Sequence, residues 1–526
     1  MARFTLKALK IMFGIVMAGI IFLLLFFEHA KYCNKSEPLL SNKAIFGILA
    51  AVCLVMAALY YLYKAGRRRI PALKPINLDR LTAWLTITLF FIQVYVAWNI
   101  FFLTGWDPLA LRDFAVCLAK GSIDNVGFYQ QYFSVYPNNL LLIFLQVFIL
   151  KANNAVGIFT GEYTTMCLVL VNCFINSLTC WLVYKTVGLF TEKKVAFIGY
   201  SLAVLSVGIS PWTVIFYSDS VGLFIPILTF YLYARPVSKP MWRYLCRFAA
   251  VLTGIVGYFI KPQCVIMLIA VVVMELAHMC QDFSPKKLVK PALMLLSCVL
   301  CFLTITRAVD GAFAKTGLVL DEEKALGMTH FFMMGQNETF NGGYSAEDVA
   351  FSKSFQTADE RKSANVTKAL ERLENMGVEG YIKHIGKKML MVFNDGTFAW
   401  GREGNFYLRV PENINNRMAP FLKSIFYKDG FRHPYFILFE QIVWIIILLL
   451  SGLSCLPKED KSHSGRLGVL RLAVVGLVLF EVLFEARARY LYTFVPIFCV
   501  LATLGLKNVT DFVKAKTEWL LSKRSV

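Results

Sequence analysis

Apolar runs long enough to cross a bilayer recur along the whole chain and predict an all-α polytopic membrane protein. Two further observations agree. Of the 526 residues, 57% are hydrophobic and 15% aromatic, and the mean hydropathy is +0.59, too apolar for a water-soluble chain of this size. The formal charge of +20 also falls on the segments that alternating spans would place on one side of a membrane.

An α-helix needs about 20 apolar residues to cross a ~30 Å hydrocarbon core. Twelve runs are read as spans: 11–27, 44–63, 82–104, 162–184, 195–216, 219–235, 247–260, 263–279, 291–306, 433–455, 467–484 and 490–506. The first is followed by another span and lacks a small-residue cleavage site, which predicts a retained helix and not a signal peptide. Segments 1–10, 64–81, 185–194, 235–247, 280–290, 456–471 and 507–526 then share one side. They hold 28 Lys+Arg against 7 Asp+Glu, a net of +21, and the rest of the chain holds 26 against 27, a net of −1. The positive-inside rule makes that side, with both termini, cytoplasmic. The charge is thus a topology signal and not a nucleic-acid stripe.

The run Leu140–Leu150 is short for a crossing. Counting it would turn five of the basic segments outward, so 138–150 is read as an amphipathic, Pro-started helix lying in or re-entering the outer leaflet. The chain accordingly divides into an N-terminal hairpin with its basic loop (1–79), a membrane module (80–306), an extracytoplasmic insertion (307–430) and a C-terminal membrane segment (431–526). No internal repeat is found, which weighs against inverted-repeat transporter designs.

The insertion carries 16 basic and 16 acidic residues and no cysteine, so it is not held by disulfides. A helical pattern opens at Thr357-Ala358-Asp359-Glu360 and stops at Gly377. A second helix, Glu379 to Phe393, puts Ile382, Met389, Val392 and Phe393 near one face with Lys383, Lys387 and Lys388 beside it, which reads as an interfacial helix. The strip Asn394 to Arg402, with Phe398 and Trp400, reads as a lid over a site at the membrane surface.

The informative polar groups gather on the outer side. Asp107 and Asp113 lie in the first large loop, followed by the strip Tyr136-Pro137-Asn138-Asn139-Leu140. Asp219 sits in Tyr217-Ser218-Asp219-Ser220, Lys261 in Ile260-Lys261-Pro262-Gln263, His330 in Thr329-His330-Phe331, and Arg487 and Arg489 in Glu485-Ala486-Arg487-Ala488-Arg489-Tyr490. Cations at headgroup depth away from the cytoplasm are what phosphate binding needs, because guanidinium groups grip phosphate oxygens in pairs. One reaction uses all these parts. A sugar on a lipid phosphate enters from the outer leaflet, and a carboxylate takes the proton of an acceptor hydroxyl or amine. The acceptor attacks the anomeric carbon with inversion, and polyprenyl phosphate leaves with its charge compensated. Neither a metal nor another cofactor is needed for this, and no Cys/His metal spacing occurs.

An Asp outside the first core helix, an amphipathic loop, a Tyr-Pro-x-x-Leu strip, a second outer-loop Asp and a late Arg-x-Arg-Tyr together resemble the GT-C membrane glycosyltransferases. The likeness is to the polyprenyl-phosphate-sugar enzymes of the protein O-mannosyltransferase and lipid A aminoarabinose transferase group, and it extends to uncharacterised multispan proteins of Gram-positive bacteria. It covers roughly 80–270 and 480–500, with the insertion matching in position alone. The resemblance implies a GT-C-like fold and juxtamembrane helices in the first large loop. It also implies a glycosyltransferase that moves a sugar from a polyprenyl-phosphate donor to an envelope glycan, lipid or protein. Asp107, or Asp113, would be the base, and Tyr136, Asn138, Asn139, Asp219, Lys261, His330, Arg402, Arg487 and Arg489 would contact substrates. Two departures are visible: the family's strip is usually Tyr-Pro-Pro-Leu, whereas here it is Tyr136-Pro137-Asn138-Asn139-Leu140, and the common Asp-Glu pair of the first loop is missing.

Each residue also has a structural reading. Asp107 before Pro108, and Asp219 before Ser220, are placed as N-caps would be. Asp113 beside Arg112 fits a solvated surface pair, and Lys261 fits a snorkelling lysine. Glu485 and Arg489 are spaced to pair with each other, leaving Arg487 as the freer ligand. Glu440 and Glu481 lie within apolar runs, where carboxylates are functional candidates or bundle hydrogen-bond partners. Other functions fitting the same features are a transporter or flippase of lipid-linked saccharides and a noncatalytic subunit of an envelope-assembly complex.

Overall fold

In the computed structural model, residues 2–27, 39–65, 76–280, 285–404, 406–411, 417–456 and 463–524 are described. The connection 66–75, with four of the Lys+Arg residues counted on the basic side, lies outside them, as do 281–284 and 457–462. The protein is an all-α polytopic membrane protein. Among the described residues, ten helices are long and apolar enough to cross a membrane, including Leu78–Ile100, Gly161–Val187, Pro240–Ile260, His433–Leu453 and Ala488–Leu520.

Nine of the ten correspond to spans expected from the sequence, and three expected spans differ. The run 195–216 is broken into a helix Lys193–Ala203, a π-turn Val204–Gly208 and a 3₁₀ turn Pro211–Val214. Amide side chains satisfy the carbonyls that the break frees. Gln93 donates to Gly208 O at 2.6 Å, Asn176 to Val207 O at 2.7 Å, and Asn172 to Thr213 O and Ile215 O. Irregular backbone inside a bundle requires this kind of partner. The run 219–235 is likewise two short helices, Ser218–Gly222 and Ile225–Ala234. The third, Ser464–Leu483, is one helix of 20 residues but carries Arg466, Arg471 and Glu481.

The tenth is Pro137–Val156, which extends beyond the run Leu140–Leu150 read from the sequence at both ends. Its helix, Leu140–Val156, ends at Gly157, whose φ of 72° closes it. Both ends lie at the end of the bundle where Leu78–Ile100 finishes. The start follows Tyr132, which bonds Asp107, and beyond the finish Phe159 packs on Trp98, which stacks on Tyr163 at 4.8 Å. Two amphipathic helices, α1 (Trp106–Lys120) and α2 (Val126–Val135), precede it.

The chain's last long helix, Val495–Arg524, is the axis of the bundle. Val495, Ile497, Phe498, Cys499, Val500 and Leu501 are all fully buried, as a helix apolar on every side must be. It crosses His433–Leu453 so closely that a Cβ at Gly505 would lie 1.8 Å from Leu450 O. The N-terminal hairpin is tied into this core: Phe13 and Met17 are fully buried, and Asn42 donates to Leu24 O and to Asn394 Oδ1.

The insertion is mainly helical. Thr357 caps a 36-residue helix, α3 (Ala358–Phe393), through a reciprocal bond with Glu360, and the helix kinks at Gly377, where φ is 58°. The last turns of its second half do not lie on the membrane as expected, although Ile382 is exposed. Met389 to Phe393 are buried, and Lys388, fully buried, donates to Gly335 O, Val482 O and Phe484 O, each at 2.8 Å. Three main-chain acceptors explain why a lysine tolerates this depth. A two-stranded antiparallel ladder, Leu103–Thr104 with Tyr407–Arg409, joins the first loop to the insertion.

Candidate functional site

The site builds outward from Asp107, in the first turn of α1. Gly105 is the N-cap and no side chain caps the helix, so Asp107 is not spent on capping. Its Oδ1 accepts from Tyr132 OH at 2.8 Å and its Oδ2 from Tyr217 OH at 3.4 Å. Burial, and next the Asp107 carboxylate, push both phenols well above the ordinary tyrosine value, so both remain donors. Tyr136, half-buried near Asp107, is pushed up to about 12 by that burial and the Asp107 carboxylate. Trp106, held at a φ of 50°, turns its ring edge-on to Tyr217 at 5.1 Å.

The guanidinium of Arg489 lies over the Trp106 ring at 4.6 Å and the Tyr217 ring at 5.6 Å. The carboxylate of the first loop and the late arginine therefore share two aromatic neighbours. Arg489 Nη1 meets Asp219 Oδ2 at 3.2 Å, and Asp219 Oδ1 is ion-paired to Lys261. Both partners of that pair are buried, and Lys261 Nζ also lies 4.7 Å from the Tyr490 ring. Lys261 is thus an internal ion-pair partner and does not snorkel. Tyr217, not Asp219, is the N-cap of the short helix Ser218–Gly222.

The expected pairing of Glu485 with Arg489 is replaced by another. Arg487 Nε bonds Glu485 Oε1 at 2.7 Å and Arg487 Nη1 bonds Glu403 Oε2 at 2.8 Å. Glu485 Oε2 accepts from Tyr490 OH at 3.0 Å. The reason is local: residues 485–487 are extended and a 3₁₀ turn begins at Ala488, so the i,i+4 spacing of an α-helix never forms.

Glu403 was missed in the sequence. It comes from the π-turn Trp400–Gly404, just past the strip read as a lid, and the strip itself is no lid. Phe398 and Trp400 are buried, Trp212 Nε1 donates to Thr397 O and Trp400 Nε1 to Phe426 O. Asp395 accepts from Thr397 N and Ala399 N, both at 2.9 Å. The strip is a plug in the bundle that delivers Glu403 to the arginines. Burial acts to raise Glu403, but the Arg487 and Arg489 guanidiniums outweigh it and hold the carboxyl below the usual range. The signal available was an acidic residue next to Arg402 in an aromatic strip, which does not name its partners.

The other expected residues separate. Asp113 pairs with its neighbour Arg112 at 2.8 Å and stays outside the cluster. Asn138 is exposed and Asn139 buried in the turn before Leu140. Arg402 is exposed beside Glu403. His330 is buried within the insertion, where its Nδ1 faces Ser352 Oγ at 2.7 Å. Burial lowers it to about 4, so at neutral pH it brings no charge to a phosphate. Glu440 and Glu481 are buried. Asn337 and Asn365, which fit the glycosylation sequon, are buried too. Among the described residues, no three His, Cys, Asp or Glu side chains are grouped to hold a metal ion.

Fold and site together define a polytopic integral membrane protein with an ion-paired cluster at one end of its bundle. The chain belongs to a family of conserved hypothetical integral membrane proteins, which it matches over residues 1–510. Comparison with curated proteins finds no match.

Proposed function

We propose that this protein is an inverting membrane glycosyltransferase, GT-C-like in its design, that moves a sugar from a polyprenyl-phosphate donor to a cell-envelope acceptor on the extracytoplasmic face. The observation that carries the reading is the half-exposed Asp107, oriented by two phenols, across one aromatic pair from Arg489. Asp107 accepts its hydrogen bonds from neutral groups. It is therefore available to take the proton of an acceptor hydroxyl or amine as that atom bonds to the anomeric carbon. The bond between that carbon and the phosphate oxygen breaks, and the electron pair leaves with the polyprenyl phosphate. Arg487, Arg489 and Lys261 are the cations within reach of the leaving group. Asp219 holds two of them in place, and Tyr136 borders the acceptor side.

The test is transfer of label by the purified protein from a panel of radiolabelled polyprenyl-phosphate hexoses and pentoses. Asp107→Asn is expected to lower transfer by about 10²–10⁴-fold while expression and thermal stability are unchanged. Undiminished transfer by that variant would remove Asp107 from the chemistry. Absence of transfer from every donor, with passage of lipid-linked saccharide across vesicles, would make the protein a flippase instead.

A further inference from the structure

The charges around the arginines nearly balance without any substrate. Lys261, Arg487 and Arg489 face Asp219, Glu403 and Glu485, and Asp107 adds a fourth negative charge nearby. An incoming phosphate would meet no surplus of positive charge, so one carboxylate must give way. The three are not equally tied. Asp219 uses both oxygens, one on Lys261 and one on Arg489. Glu485 also uses both, one on Arg487 and one on Tyr490 OH. Among the described residues Glu403 engages its Oε2 alone, bridging Arg487 Nη1 and Arg489 Nε at 2.8 Å each.

That bridge is also imperfect. Arg489 Nε is buried, and although Glu403 Oε2 is close, the N–H is not aimed at it and has no aligned acceptor among the described residues. A buried guanidinium donor without an acceptor marks a place where another oxygen fits. One carboxylate oxygen between two guanidiniums occupies the position a phosphate oxygen would take, but it cannot fill both forks as a tetrahedral group does.

We infer that Glu403 is the resident stand-in for a phosphate, neutralising Arg487 and Arg489 in the empty protein and displaced when a polyprenyl phosphate or its sugar diester binds. The inference rests on the transferase reading for the lipid but not for the phosphate. Exchange of Glu403 for the singly charged diester leaves the cluster's balance unchanged, so entry of donor requires no net burial of charge. The product monoester brings more negative charge than Glu403 removes. Return of the carboxylate then favours product release. Glu403 thereby selects for ligands whose anion outcompetes a tethered carboxylate, which a neutral glycolipid does not.

The experiment measures binding of a short-chain polyprenyl phosphate, and of inorganic phosphate, to the detergent-purified full chain. Glu403→Gln is expected to bind the lipid phosphate about tenfold more tightly than the unmodified protein, with Arg487→Ala losing binding. Glu403→Asp, which keeps the charge on a shorter arm and guards against a folding defect, is expected to lie between. Equal or weaker binding by Glu403→Gln, in protein whose thermal stability is retained, overturns the inference and makes Glu403 a fixed part of the arginine scaffold. Tightening for inorganic phosphate as well as the lipid supports a phosphate site without lipid selectivity. If Glu403→Gln tightens phosphate binding but no sugar is transferred, the stand-in holds and the transferase reading falls. If sugar is transferred and binding does not tighten, the reverse is true.

Discussion

Replacing Asp219 with Asn keeps the size of the side chain but removes the anion that two buried cations share. Asp219 is 1% exposed, Lys261 5% and Arg489 6%. At about 3 Å, one such contact is worth roughly 5 kcal/mol at an effective dielectric of 20, before desolvation is subtracted. Desolvation takes several kcal/mol per ion, so an intact pair contributes little, but breaking one from a single side costs about 3–5 kcal/mol. Asp219→Asn is expected to lose that amount in SDS unfolding from mixed micelles, followed by tryptophan fluorescence. Removing the stranded ammonium as well, in Asp219→Asn with Lys261→Met, should restore at least about 2 kcal/mol, because Arg489 keeps Glu403. A double variant no more stable than Asp219→Asn would refute the reasoning, since the loss would then come from packing and not from an uncompensated charge.

Two further expectations concern the insertion. An exposed histidine takes its proton near 6.5 and the buried His330 resists until about 4. The unfolded chain therefore binds more protons in that window, and stability present above 6.5 is lost as pH falls through it, by about 3 kcal/mol. Hydrogen exchange across 328–353 should show this, and His330→Asn should flatten it; an unchanged pH profile in that variant would discount His330 as the cause. At Gly396 a Cβ would lie 2.3 Å from Glu440 O, so Gly396→Ala must push the plug off helix His433–Leu453 at a cost of about 1–3 kcal/mol. Unaltered thermal stability of that variant would mean the plug is looser than its contacts indicate.

The members of the cluster that sit at the ends of apolar runs were legible as residues. Asp107, Asp219, Lys261, Arg487 and Arg489 stand out because a charge beside a span needs a reason. Choosing between Asp107 and Asp113 needed the fold, because both lie in the same loop and one turns to Tyr132 and Tyr217 while the other finds Arg112. Lys388 and His330 looked like surface or ligand residues, yet each is buried by segments far along the chain.

Hydropathy and charge along the chain determined the class of protein, most of its helices and the composition of its polar end, because those are properties of short stretches meeting lipid or water. Tertiary structure alone decided how the ions pair, that residues 394–400 plug the bundle, and that Glu403 reaches Arg487 and Arg489 across more than 80 positions. A charge's partner is set by which helices pack together, and no local periodicity carries that information.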